Sequence, residues 1–288
     1  MLDLNLIYWL VGRIFFLFDC MQVRFMQQAM LALLLLAPMT AGMGVHVINH
    51  RMAFFSDAIS HSAFTGLALG LLLGLSPDWT MVGFALLLGL GIILVQRRST
   101  LSSDTVIGVF FSASIAFGLA VVSRDRATAR DVQRFLYGDI LTIDEGELGL
   151  LFLLFLGLGW FLWFGYNRLL YIGLHTALAR AHRVRVAIYQ YLYGGLLALV
   201  VIFCVRTVGV LLVTAMLIVP AAAARNFANS AGRMFWWAVA IAVSSAVVGL
   251  LISAQDWART ATGATVVLVS CLWFAVSAAV AWRRGRGD

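Results

Sequence analysis

The chain has 288 residues and no lysine, so all 20 of its basic residues are arginine. That absence excludes a P-loop, whose lysine reaches the nucleotide phosphates, and it excludes Schiff-base chemistry on a lysine amine. Charge of either sign is scarce at 11% of residues. There are only three cysteines, and Cys20, Cys204 and Cys271 are far apart with no Cys-x-x-Cys pair, so they read as free, packed thiols. No His-Glu-x-x-His zinc motif is present. The N-terminus lacks the basic start and small-residue cleavage site of a signal peptide, so the whole chain is read as mature.

What the chain has is apolar surface. Its residues are 62% hydrophobic with a mean hydropathy of +0.97, whereas soluble domains run at roughly 45–50% apolar and about 25% charged. The apolar runs are of helix length rather than short and alternating. This predicts an all-α, polytopic membrane bundle and not a barrel. The net charge of +7 comes from arginines scattered between these runs, which suits membrane-flanking and docking charge and not a nucleic-acid surface.

About eight spans are expected, at 26–47, 58–75, 81–95, 105–122, 148–166, 186–205, 235–252 and 263–282. Residues 1–25 read as an N-terminal extension with an interfacial helix, and 26–288 as the transmembrane domain. Ser102, Ser103 and Asp104 are cap candidates for the fourth span. The polar stretch 123–147 reads as an extramembrane connector with a turn at Tyr137, Gly138 and Asp139. The apolar segment 208–220 is short and runs into Pro220 and four alanines, Ala221, Ala222, Ala223 and Ala224, so it suits a re-entrant or contact helix better than a span. Gly66, Gly70 and Gly74, four residues apart, predict close packing of the second span within the bundle.

The candidate site is Asp57 with His61. At a spacing of four the two side chains share one helix face, and ionisable groups are costly within a bilayer. A pair on one face therefore points to a shared cation, a shared proton or a water-filled path. A carboxylate and a neutral imidazole suit Mn²⁺, Fe²⁺ and Zn²⁺. His50 and His46, also four apart, could extend the site. An incomplete ligand set fits cargo that must leave, so no resident cofactor is expected, only a transported zinc or manganese ion.

The run Arg51-Met52-Ala53-Phe54-Phe55-Ser56-Asp57-Ala58-Ile59-Ser60-His61-Ser62-Ala63 resembles the signature of the zinc/manganese/iron class of ABC importer permeases, the ABC-3 family. Further blocks follow in order: Asp104-Thr105-Val106-Ile107-Gly108, then Phe135-Leu136-Tyr137-Gly138-Asp139-Ile140-Leu141, then Val208-Gly209-Val210-Leu211-Leu212-Val213 through Pro220 to Arg225, and lastly Thr262-Gly263-Ala264-Thr265. They span about residues 26–282. His46, His50 and the sequence Trp257-Ala258-Arg259 depart from the family pattern.

The resemblance implies a type II ABC importer permease in the bacterial cytoplasmic (inner) membrane that is not itself an enzyme. It would pair with a second permease copy, two cytoplasmic ABC ATPase subunits and an extracytoplasmic metal-binding protein. Pro220, Ala221, Ala222, Ala223, Ala224 and Arg225 would couple it to the ATPase. By the same analogy Asp57 and His61 are expected to face outside, with residues 283–286 inside. A count of arginines near the span ends favours the reverse, with 208–220 counted as an additional span. An intramembrane hydrolase is the poorer alternative, because Ser60 and His61 are adjacent and diverge on a helix. An ion-coupled secondary transporter should show inverted repeats, and none is visible.

Overall fold

In a computed structural model, the structure describes residue 13 and residues 19–123, 143–258 and 260–284. The expected interfacial helix and the turn at Tyr137 to Asp139 lie outside these residues, apart from Arg13 and the stretch from Asp19 onwards. A short 3-10 turn, Asp19–Gln22, leads into ten α-helices. They are α1 (Arg24–Asn49), α2 (Phe55–Leu73), α3 (Pro77–Arg98), α4 (Ser103–Val122), α5 (Glu145–Leu174), the short α6 (Thr176–Ala181), α7 (Val186–Val208), α8 (Val210–Phe227), α9 (Ala231–Ser253) and α10 (Thr262–Arg284). The expected all-helical bundle is observed.

Local chemistry explains where the helices start and stop. Ser102 accepts a hydrogen bond from the Thr105 amide at 3.2 Å, and Asp144 accepts from the Glu147 amide at 2.7 Å, satisfying free N–H groups in the first turns of α4 and α5. Pro77 opens α3, where its missing N–H costs nothing. Gly74 ends α2 in the left-handed region at φ 64°, which a residue without Cβ adopts freely.

Among the described residues eight helices are long and apolar enough to cross a membrane, but they are not the expected eight. α8 is one of them, a continuous 18-residue helix with Pro220 inside it and not at its start. The reading of 208–220 as a re-entrant element is thereby corrected. A buried proline is tolerated in a membrane helix where packed neighbours surround the gap in the hydrogen-bond ladder. The expected span at 58–75 corresponds to α2, which falls short on apolarity because Ser56, Asp57, Ser60, His61, Ser62 and Thr65 lie along it.

α1 is the central helix: Leu33, Leu36, Met43 and Val47 are fully buried, and α5, α8 and α9 pack around it. The glycine reading holds where α2 meets α3, since a Cβ on Gly66 would stand 2.7 Å from the Met81 backbone. It does not extend to Gly74, where an added Cβ would meet open space. Cys204 is buried as expected, whereas Cys271 is exposed on the outer face of α10.

Successive long helices alternate in direction and divide the charges between two ends. The end of α7 meets the start of α3 through Arg206 and Asp78, 3.3 Å apart. At the opposite end the Tyr166 hydroxyl of α5 donates to the Ala231 carbonyl at the start of α9, at 2.8 Å. That second end collects Arg97, Arg98, Arg180, Arg183, Arg283 and Arg284, while Asp78, Asp144, Glu145, Glu147 and Asp256 gather at the first. Because α8 is a complete pass, Arg51 and Arg284 come to the same end. The expected arrangement, with Asp57 and His61 facing outward and the C-terminal arginines inward, places these two arginines on opposite faces and is corrected here.

Candidate metal-contact site

The α1–α2 turn is recessed into the bundle. A Cβ on Gly89 of α3 would lie 3.3 Å from both the Phe55 and Ile59 side chains and 3.2 Å from Ala198 of α7. Gly89 precedes Arg98 by nine residues, so the first turns of α2 begin about 14 Å below the arginine-rich end of α3. Asp57 lies between Phe55 and Ile59 and is therefore at bilayer depth. It does not cap α2, whose N-cap is Phe54, and it sits instead in the first turn.

Asp57 and His61 are both half-buried. They are close enough to interact electrostatically, as their spacing predicts, and Thr214 on α8, whose hydroxyl bonds the Val210 and Leu211 carbonyls of its own helix, lies in the neighbourhood of the Asp57 carboxyl. The His61 ring packs edge-on against Phe111 of α4, with centroids 5.2 Å apart. Ser60, between them in sequence, is fully buried and its Oγ has no partner. One carboxylate, one imidazole and nearby hydroxyls make a partial oxygen and nitrogen donor set of the kind a passing divalent cation uses. Thr214 and Phe111 could not be found from sequence, since each is a single residue on a distant apolar segment. The lone hydroxyl in 208–220 was the available hint for Thr214.

His46 and His50 form a separate pair. His46 is fully buried, 4.9 Å from the Tyr166 ring and 6.1 Å from the Tyr193 ring, and both its ring nitrogens lack partners. His50 stacks on Tyr193 at 5.4 Å. Its Nδ1 lies 2.8 Å from the His46 carbonyl, which can only accept, so Nδ1 carries the proton and Nε2 is left bare. Tyr193 stands five residues before Ala198, placing this pair about 7 Å nearer the arginine-rich end than the start of α2. Among the described residues no three His, Cys, Asp or Glu side chains gather to hold a metal. The described structure therefore does not gather His50 and His46 with Asp57 and His61 into one ligand cluster.

The expected coupling residues lie along α8. Pro220, Ala221, Ala223 and Ala224 are buried, Ala222 is half-buried and Arg225 is exposed. The alanines pack inward, and a Cβ on Gly44 of α1 would stand 3.4 Å from that of Ala221. A partner protein could not touch Ala221, Ala223 or Ala224 without opening the bundle, so only Ala222 and Arg225 remain as candidates for such contact.

Comparison with known proteins adds context to this geometry. The ABC 3 transport family matches residues 22–281. The high-affinity zinc uptake system membrane protein ZnuB of Haemophilus influenzae is 31% identical over 254 residues, covering 86% of this chain and 95% of its own. The manganese import system permease protein ScaB of Streptococcus gordonii is 31% identical over 259 residues, covering 88% and 90%. Among solved structures, PsaBC from Streptococcus pneumoniae in complex with Fab superposes with a TM-score of 0.74 at 29% identity, over 88% of this chain and 91% of that one. An inward-facing putative metal-chelate type ABC transporter shares the fold at a TM-score of 0.71 and 17% identity, over 87% and 84%.

Proposed function

Because this chain belongs to the ABC 3 transport family, a family of ABC transporter permeases, we propose that it imports zinc or manganese across the bacterial cytoplasmic membrane, with Asp57 and His61 as the cargo's contact inside the bilayer. The observation that carries this reading is a carboxylate and an imidazole one turn apart on α2, recessed about 14 Å from the bundle end beside the hydroxyl of Thr214. Relatives named for zinc and for manganese support either cargo.

The charge asymmetry supports an orientation. The arginine-rich end faces the cytoplasm under the positive-inside rule, and the acidic end faces out, where it raises the local concentration of divalent cations. ATP is bound and hydrolysed on separate cytoplasmic subunits, in keeping with the missing lysine, and a metal-binding protein delivers cargo to the acidic end. A second permease copy completes the pathway. Arg225, at the arginine-rich end of α8, is placed to meet the ATPase.

The test is metal uptake by cells carrying the whole transporter. Asp57→Ala and His61→Ala should each stop uptake while the complex assembles normally. Wild-type uptake in both variants would place the site elsewhere. Purified alone, the chain should show no ATP hydrolysis above background.

A further inference from the structure

A second site lies between the recessed α1–α2 turn and the arginine-rich end. A cavity of about 280 Å³ is enclosed there by the turn, α3, the start of α4, α6 and α7. At about 30 Å³ per water it has room for several waters or one compact polar group. Its wall is polar and carries no carboxylate. Arg97 and Arg180 are exposed at its edge, Gln96 and Gln190 present carboxamides, and Ser103 opens the first turn of α4 toward it. The interior is closed by buried Tyr193 and half-buried His50, whose Nε2 lacks a partner.

The sign of this cavity separates it from the cargo site. Two guanidinium groups with no compensating carboxylate in the wall repel a divalent cation, so the cavity does not continue the metal-contact site. The same groups suit an oxyanion. Guanidinium forks match phosphate oxygens bidentately, the carboxamide N–H groups donate, and the free amides of a helix start favour negative charge. His50 adds a preference of its own. With its proton on Nδ1, its Nε2 can only accept, so it offers a partner to a donor on the bound group, such as a hydroxyl.

We propose that this cavity binds an oxyanion bearing a hydroxyl group, the chemistry shared by hydrogen phosphate and the glycerol phosphodiester headgroup of an anionic phospholipid. The phosphate engages Arg97 and Arg180, and the hydroxyl donates to His50. Basic recesses between membrane helices on the cytoplasmic side hold anionic headgroups by this combination. Arg180 lies on α6 and Arg97 on α3, so an occupant ties the short connecting helix to the body of the bundle. Arg97 also stacks on the Tyr191 ring of α7, 5.3 Å from its centroid, which holds its guanidinium near the cavity edge.

The test uses the full-length purified chain. Its unfolding midpoint is measured in detergent with sodium phosphate against sodium chloride at equal ionic strength. It is measured again in nanodiscs of phosphatidylglycerol against phosphatidylcholine, with retained lipid counted by native mass spectrometry. Phosphate or phosphatidylglycerol should raise the midpoint, and Arg180→Gln or Arg97→Gln should roughly halve the shift or abolish it. Arg283→Gln, at the same end but outside the cavity, should keep it. A shift with soluble phosphate alone identifies the free ion as the occupant, and a shift with phosphatidylglycerol only identifies the lipid. Equal shifts in Arg180→Gln and Arg283→Gln, or no advantage of either phosphate compound over its control, would overturn the proposal. Arg180 is exposed on a short surface helix, so that variant decides the matter even if Arg97→Gln fails to fold.

Discussion

Asp57 and His61 stand one turn apart on α2, as His46 and His50 do on α1, yet the two pairs live in different surroundings. The first is half-buried, meets α4 and α8, and includes a carboxylate. The second lies between Tyr166 and Tyr193, carries no negative charge, and leaves three ring nitrogens unmatched. Spacing determines which side chains share a face, but the neighbouring helices determine what that face can do. A carboxylate with hydroxyl neighbours attracts a cation. Two imidazoles against tyrosine rings fill space and present lone pairs, with nothing to offset the desolvation of a divalent ion.

The comparison breaks most sharply at Asp57. Asp57→Ala removes the one carboxylate at the site, and uptake should fall below detection, further than in His61→Ala, measured as metal accumulation per assembled complex. Residual uptake in Asp57→Ala exceeding that in His61→Ala would mean that the imidazole dominates the contact. His46→Ala should act on stability instead. Emptying a fully enclosed ring site costs about 2–4 kcal/mol, read as a lower unfolding midpoint, while uptake per folded complex persists. Loss of uptake at normal stability would join the two pairs into one path.

Two smaller changes probe how the first pair is held. Gly89→Ala places a methyl 3.2–3.3 Å from Ala198, Ile59 and Phe55, and this overpacking should cost about 1–3 kcal/mol. It shifts the turn carrying Asp57, so uptake should fall while the stacking of His50 on Tyr193 is untouched. The smallest effect belongs to Thr214→Val, which keeps the shape and removes the hydroxyl beside Asp57. Losing a polar neighbour worth about 1 kcal/mol should weaken apparent metal affinity roughly fivefold, measured from the concentration dependence of uptake. No change would show that Thr214 serves only its own helix, where it donates to the Val210 and Leu211 carbonyls.

The bundle was legible because apolar runs of helix length leave few alternatives in a bilayer. The exception is instructive. Pro220 and the alanines after it read as a break, since proline ends helices in water, yet in this bundle they continue a full crossing with Pro220, Ala221, Ala223 and Ala224 buried. That misreading carried over into topology, because one crossing more or fewer exchanges the faces of everything that follows. At the site, the Asp57–His61 pair was visible from its spacing alone. Its surroundings were not, because Thr214 and Phe111 come from residues at least fifty positions away along the chain. The burial of His46 was equally invisible, since a histidine near the end of a span is as readily solvated as enclosed.

The recess of the α1–α2 turn has an electrostatic consequence for a cation resting at Asp57. An α-helix carries a partial positive charge at its N-terminus, and α2 places that terminus inside the bilayer with Asp57 in its first turn. The partial charge stabilises the carboxylate as an anion and at the same moment repels the metal drawn to it. On the proposed function, the pair would thus form a shallow energy well with a built-in opposing field, one that admits a divalent ion without holding it, as suits a route rather than a store.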